Sequence, residues 1–238
     1  MPPIGMVEGK KPQIERMFDA IAPRYDLLNR VLSAGIDQKW RKKVIRLVLD
    51  AKPLHVLDVA TGTGDLAIMA AQHGISSIIG VDIAEEMLAV GRRKVKSKGL
   101  DERVTLQTGD AEALPFNDGQ FDAVMVAFGV RNFEDLDKGL SQIYRVLKTG
   151  GRLVVLEFSR PTAFPVKQGY AFYNKYVLPI IGRLISGDQA AYTYLPESIA
   201  AFPEGASFLE HMKKAGFSEV RDQRVTFGVA SIYVGERK

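Results

Sequence analysis

From Leu54 onward the chain alternates short apolar runs with stretches whose apolar residues recur at helical spacing. Leu54–Ala60, Ser77–Asp82, Val104–Gly109, Phe121–Ala127 and Arg152–Phe158 predict strands, and Leu66–Gln72, Glu85–Ser97 and Leu136–Leu147 predict the helices between them. Strands alternating with helices predict a parallel sheet covered on both faces. Ile14 to about Leu49 has a helical pattern broken at Pro23 and Gly35, which predicts two or three short helices forming a cap. After Pro161 the rhythm lapses until Glu204. A helix then runs to Ala215, followed by strands Glu219–Thr226 and Val229–Glu236 around a short turn at Phe227-Gly228. Such a closing hairpin places one strand antiparallel to the rest. The expectation is one α/β domain over 1–238, with a helical cap (12–50), a core (54–158), an insertion (160–203) and a C-terminal helix and hairpin (204–238).

Composition adds little to this picture but removes several chemistries. The 238 residues are 46% hydrophobic and 25% charged, ordinary for a packed protein, and contain no cysteine, which excludes disulfides, thiolate metal sites and cysteine nucleophiles. Met1–Lys11 lacks a secretory pattern, and no apolar run approaches the ~18 residues of a spanning helix, so a cytoplasmic protein is expected. A net charge of +4 is too modest to signal nucleic acid or membrane by itself.

The densest chemical signal is Asp58-Val-Ala-Thr-Gly-Thr-Gly-Asp65, at the junction of the first predicted strand and its helix. Gly62 and Gly64 leave the backbone open to a ligand, and amides opening the helix offer donors to an anionic group. With Ala67 and with Asp82 roughly 20 residues on, the same stretch also meets the dinucleotide fingerprint. Two cofactors therefore compete. Asp82 can accept both hydroxyls of a ribose or serve as a helix cap; Asp110, in Gly109-Asp110-Ala111, can accept an adenine amino group or serve as a turn acid.

Taken in order, Asp58 to Gly64, Val81-Asp82, Gly109-Asp110-Ala111 and Leu147-Lys-Thr-Gly-Gly-Arg152 resemble the successive motifs of class I, Rossmann-like S-adenosylmethionine-dependent methyltransferases, whereas a nicotinamide enzyme would explain only the first two. Tyr25-Asp-Leu-Leu-Asn29, Gly35-Ile-Asp37 with Trp40-Arg41, Phe128-Gly-Val-Arg-Asn132, Leu156-Glu-Phe-Ser-Arg-Pro161 and Tyr194-Leu-Pro-Glu-Ser-Ile199 are similar to the C-methyltransferases of menaquinone and ubiquinone biosynthesis, a likeness covering nearly all the chain after residue 12. Some relatives have glycine where Ala60 or Thr61 stands, and some have serine at Ala127. The resemblance implies a mostly parallel seven-stranded sheet and cofactor contacts at Thr63, Asp82, Asp110, Ala111 and Ala127; the loop argument adds Asp58, Gly62 and Gly64. It further implies a polyprenyl quinol as methyl acceptor, no nucleic-acid partner, and a homodimer. A different small molecule or RNA as acceptor, and a noncatalytic assembly subunit, are the alternatives.

A sulfonium methyl needs no metal, only an aligned nucleophile in a dry pocket. Here the nucleophile would be a ring carbon, which the quinol, particularly as phenolate, makes electron-rich and the quinone does not. None of His55, His73 and His211 is well placed as a base. Arg131 and Asn132 follow the fourth strand's carboxyl end, the edge where open α/β sheets bind ligands. A guanidinium stays protonated, so Arg131 is expected to stabilise the phenolate, Asn132 to orient the quinol oxygen, Asp37 to receive the proton and Tyr25 to close the ring pocket; cap packing and helix capping are the plainer readings of Tyr25 and Asp37. Finally, residues 160–187 interleave Arg160, Lys167, Lys175 and Arg183 with aromatic residues and contain no acid. That suits peripheral contact with a membrane surface, or a lid packed on its own domain.

Overall fold

Successive residues of the central strands bury themselves on opposite sides of one sheet, and that alternation organises the computed structural model, which describes residues 9–177 and 189–238. Val56, Met125 and Val154 pack on one face, against α3 (Ile36–Leu49), α4 (Asp65–Gln72) and α5 (Glu85–Ser97). Their neighbours Leu57, Val124 and Val155 pack on the other, against α6 (Leu136–Val146) and α9 (Ala206–Lys214). The period of two in strands delivers one residue to each core.

The strands are β1 (His55–Val59), β2 (Ser77–Asp82), β3 (Val104–Thr108), β4 (Phe121–Ala127), β5 (Leu147–Phe158), β6 (Ser218–Val225) and β7 (Ala230–Glu236), in the order β3-β2-β1-β4-β5-β7-β6. β1 to β5 are parallel, and β7 runs antiparallel to both β5 and β6, as the hairpin predicts. The one sizeable difference from the expected strands is β5, which begins at Leu147 rather than Arg152. Leu147 pairs with Phe121 and Arg152 with Ala123, so Lys148–Gly151 are extruded from the ladder as a bulge, with Gly150 at φ +79°.

The N-terminal segment forms α1 (Lys10–Ile21), a 3-10 turn containing Pro23, α2 (Tyr25–Leu32) and α3, with Gly35 at φ +74° between the last two. The insertion, where no pattern was legible, contains α7 (Val166–Phe172), a π turn (Tyr173–Val177) and α8 (Gln189–Ala201), which carries Pro196 inside it. Arg183, one of the four cations expected to mark this insertion, lies outside the described residues. No helix among the described residues is long and apolar enough to cross a membrane.

Candidate functional site

The sheet order reverses between β1 and β4, and the chain segments leaving the carboxyl ends of β1 to β4 converge there. They enclose a first cleft with about 660 Å³ of unfilled space, its mouth included. Ala60 and Gly62 enter it after β1, Asp82 ends β2, Asp110 and Ala111 follow β3, and Ala127 and Asn132 come from β4 and the turn beyond it. Gly62 adopts φ +57°, and a Cβ there would lie 3.4 Å from Met87 Cε and 3.8 Å from Tyr25 Cε1. Those are ordinary contacts, so it is the left-handed backbone rather than lack of space that calls for glycine here.

Asp82 braces that loop. Its Oδ2 accepts the Gly62 N–H at 2.7 Å and its Oδ1 the Ala84 N–H at 3.0 Å. Burial pushes its pKa up, against the pull of these amides. Asp110 accepts from Lys11 Nζ at 2.6 Å and from the Glu112 N–H at 2.9 Å. Burial opposes its ionisation, but the Lys11 hydrogen bond and charge outweigh it and hold Asp110 below the usual range. Lys10 Nζ meanwhile donates to the Phe133 carbonyl at 2.8 Å, so the start of α1 is strapped across the cleft by two lysines.

This chemistry separates the two candidate cofactors. The cleft offers the carboxylates of Asp82, Asp110 and Glu112, whereas Lys11 is the sole lysine or arginine among its described lining residues and already faces two acids. Carboxylates receive ribose hydroxyls, an adenine amine and a sulfonium well; a dinucleotide pyrophosphate would meet repulsion. The residues present fit S-adenosylmethionine.

Three of the loop residues expected at the cofactor do not line the cleft. Asp58 is buried, accepts the Thr61 hydroxyl at 2.6 Å, and has its pKa pushed up to about 7 by burial. The Thr63 hydroxyl donates to Asp26 Oδ1 of α2 at 2.5 Å and receives Lys94 Nζ at 3.1 Å; Lys94 also pairs with Asp65. Gly64, at φ +74°, packs beside Leu106. These residues shape the loop from behind because a turn this tight sends successive side chains to opposite sides.

A second, larger cavity adjoins the first, with about 1620 Å³ of unfilled space including its mouth. Phe18, Tyr25 and Phe128 line both. Its walls come from α1, α2, the start of α3, α7 and α8, and are mainly apolar and aromatic. Asp37 and Arg131 both line it, so the structure brings together two groups far apart in sequence. Asp37 accepts from Ser33 Oγ at 2.7 Å and Gln38 Nε2 at 3.1 Å, with Arg41 Nε at 3.5 Å. Asn132 faces the first cleft, and its Oδ1 accepts the Tyr194 hydroxyl of the second at 2.9 Å. Burial raises the Tyr25 pKa, keeping that phenol neutral.

Arg131 is almost fully buried and pairs with Glu157 at 2.8 Å. Its guanidinium lies 5.5 Å from the Phe158 ring centre; Phe158 stacks on Phe128 at 4.5 Å, and Arg41 lies 5.6 Å over Phe128. A stacked aromatic pair is thus capped by a cation at each end. Sequence reasoning assigned no role to Glu157, Lys11, Glu112, Asp26, Lys94 or Tyr194. Glu157 had a usable signal, since it follows directly on Leu153-Val-Val-Leu156, a run buried on both sides of the sheet. The other five had none, because their partners lie on distant elements. The histidines stand elsewhere: His73 Nδ1 lies 2.8 Å from the Met69 carbonyl, and His211 pairs with Asp137.

Known proteins agree with this architecture. The [4+2]-cyclase SpnF superposes with a TM-score of 0.69 at 19% identity, covering 97% of each chain, and a Thermotoga maritima S-adenosylmethionine-dependent methyltransferase with 0.66 at 21%, covering 94% of this chain and 99% of that one. These likenesses establish the class I methyltransferase fold alone. Sequence relatives are much nearer. A demethylmenaquinone methyltransferase of Bacteroides fragilis is 51% identical over 233 residues (97% of this chain, 95% of that protein). Its Thermus thermophilus namesake is 52% identical over 222 residues (93% and 100%). The ubiquinone/menaquinone biosynthesis C-methyltransferase UbiE of Geotalea uraniireducens is 46% identical over 230 (96% and 97%). The model of the ubiE/COQ5 methyltransferase family matches residues 6–237, and the chain, with its carboxylate-lined cofactor cleft opening beside an apolar cavity, belongs to that family.

Proposed function

We propose that this enzyme methylates a ring carbon of demethylmenaquinol to give menaquinol, with 2-methoxy-6-polyprenyl-1,4-benzoquinol as a second acceptor. The observation that carries the reading is the apolar cavity that shares Phe18, Tyr25 and Phe128 with the cofactor cleft and keeps one buried guanidinium, Arg131, in its wall. The names of the sequence relatives support the same acceptor. S-adenosylmethionine supplies an electrophilic methyl group. In this reading Asp82 and Asp110 hold its adenosine, and Gly62, Ala111 and Ala127 give it room.

Arg131 stabilises the phenolate, Asn132 and Tyr25 fix the ring, and Asp37 accepts the hydroxyl proton through water. The methyl group passes to the ring carbon at the expense of the sulfonium carbon–sulfur bond; the ring carbon then gives its proton to water and Asp37 returns the hydroxyl proton, so that the product is again a quinol. The acceptor must be reduced, because a quinone ring is itself electrophilic. Methyl transfer from labelled S-adenosylmethionine to demethylmenaquinone is therefore expected only with dithionite present. Label in neither the reduced naphthoquinol nor the reduced benzoquinol, despite bound cofactor, overturns the assignment.

The prenyl chain implies work at the cytoplasmic face of a membrane. Tyr170 and Tyr173 line the cavity, while Phe164, Phe172 and Tyr176 of the same segment are 81%, 60% and 50% exposed. Arg160 is spoken for by Glu204 at 3.3 Å, so the aromatic residues rather than this cation make the contact. Flotation with anionic liposomes should recover the protein, and substitution of Phe164 and Phe172 by serine should abolish recovery; wild-type protein remaining at the bottom of the gradient removes the membrane from the account.

A further inference from the structure

Arg131 has five N–H groups, and the described residues engage three of them. Nη1 donates to the Phe128 carbonyl at 2.5 Å and to Glu157 Oε1 at 2.8 Å, and Nε donates to Ser198 Oγ at 3.3 Å. Among the described residues Nη2 donates to no protein acceptor. Since Arg131 lines the large cavity, the two Nη2 protons are the donors left for a ligand there.

What fixes which edge stays free is Glu157. It is fully buried near the carboxyl end of β5, and it lines neither cleft, so it meets no substrate. Its Oε1 accepts from Arg131 Nη1 and from the Phe158 N–H at 2.9 Å, and its Oε2 accepts the Arg131 N–H at 3.4 Å. The carboxylate thus grips both the backbone and the side chain of residue 131, and the Phe158 ring supports the guanidinium plane from the side. An arginine side chain left to itself samples many rotamers; a planar fork held by a charged acceptor does not.

We propose that Glu157 is the positioning residue of the methyl transfer, holding Arg131 so that Nη2 meets the phenolate oxygen as charge develops on it. The inference rests on the quinol reaction proposed above. It also explains why a carboxylate sits inside a strand that is otherwise apolar on both faces: it neutralises a guanidinium that would otherwise be buried unpaired.

Glu157→Gln keeps the shape and removes the charge. Turnover is counted per bound cofactor, so that misfolded protein does not enter. The variant should lose roughly 10- to 100-fold in kcat, the scale of one displaced charge-stabilising donor, with KM for the quinol and Kd for the cofactor within about threefold of wild type. In an Arg131→Gln background the same substitution should change kcat by less than about threefold, because Glu157 acts only through Arg131. The doubly substituted protein buries no unpaired charge. Wild-type kcat in Glu157→Gln, or multiplicative losses in the double variant, overturns the proposal, the latter by giving Glu157 its own chemical role. If Glu157→Gln does not fold, Glu157→Asp, one methylene shorter with its charge kept, gives the same reading: reduced kcat at unchanged KM supports the proposal and wild-type kcat overturns it. Nitrogen NMR of the Arg131 guanidinium needs no substrate. Separate, slowly exchanging Nη signals in wild type should coalesce in Glu157→Gln, and identical spectra in the two proteins sink the positioning role. Should wild type fail to methylate the quinol while the NMR contrast holds, the substrate assignment is wrong and the positioning stands.

Discussion

The two clefts meet at Phe18, Tyr25 and Phe128 and yet are built on opposite principles. The cofactor cleft is assembled mainly from the ends of four adjacent parallel strands, is rich in carboxylates, and takes Gly62, Asp82, Asp110, Ala111 and Ala127 from within a few residues of a strand terminus, with α1 lying across it. The acceptor cavity is assembled from helices of the N-terminal cap and the insertion, is apolar, and holds few charged groups, each of them paired. A strand end is a place the sheet has already fixed, so a single acid there can read one atom. A helical cap fixes volume and dryness instead, which suits a greasy acceptor and leaves selectivity to one cation.

The sharpest way to test that contrast is to damage one side and read the other. Asp82→Ala removes the carboxylate that the Gly62 and Ala84 amides hold in the cofactor cleft. With charge-assisted hydrogen bonds at about 1.5–3 kcal/mol each, cofactor Kd should rise about 100-fold or more in calorimetric titration. KM for the quinol, measured at saturating cofactor, should hardly move. Arg131→Lys makes the complementary cut: it keeps the charge but not the fork, and kcat should fall about 100-fold while cofactor Kd stays within about threefold. A parallel loss of both constants in either variant would mean that the clefts are not independent.

Asp58 tests whether the loop's hidden side matters to stability rather than to binding. Its folded pKa, pushed by burial to about 7 from the ordinary 3.8, means that the folded chain holds this proton more tightly than the unfolded chain. The group therefore costs nothing below the lower value, and its cost grows as pH rises between the two, reaching about 4 kcal/mol at roughly 1.4 kcal/mol per unit. Denaturant midpoints compared between pH 4 and pH 7.5 should show that Asp58→Asn loses less stability than wild type across this interval; equal slopes would refute the buried-acid account. The smallest effect concerns Ala60, which adopts φ +54° in the cleft wall. Left-handed backbone costs a non-glycine residue about 1–2 kcal/mol, and glycine returns about half of that as chain entropy, so Ala60→Gly should raise Tm by about 1–4 °C.

Most of the cofactor side was legible in the sequence. Leu54–Ala60, Ser77–Asp82 and Phe121–Ala127 are apolar runs whose ends can be counted, and a strand end followed by glycine or an acid is a local pattern. Gly62, Asp82 and Asp110 came from those ends, Ala111 and Ala127 from the family resemblance, and all five line one cleft. Thr63, which the resemblance places at the cofactor, does not line this cleft: its hydroxyl goes to Asp26 on another helix, a partner that chain spacing does not reveal. The insertion failed for a related reason: α8 contains Pro196, and its pattern serves a cavity wall rather than a single buried stripe, so neither helical nor strand period stands out.

By itself, then, the sequence determined the alternation of strands and helices, the closing hairpin, the glycine loop and the acids at strand ends, because each depends on neighbours within a few positions. Tertiary structure alone decided that Lys11 rests on Asp110, that Asp37 and Arg131 share one apolar cavity, and that Glu157 pairs with Arg131. Ion pairs and cavities are made by elements that chain spacing does not relate, and the low dielectric that gives them their strength exists only once those elements have packed.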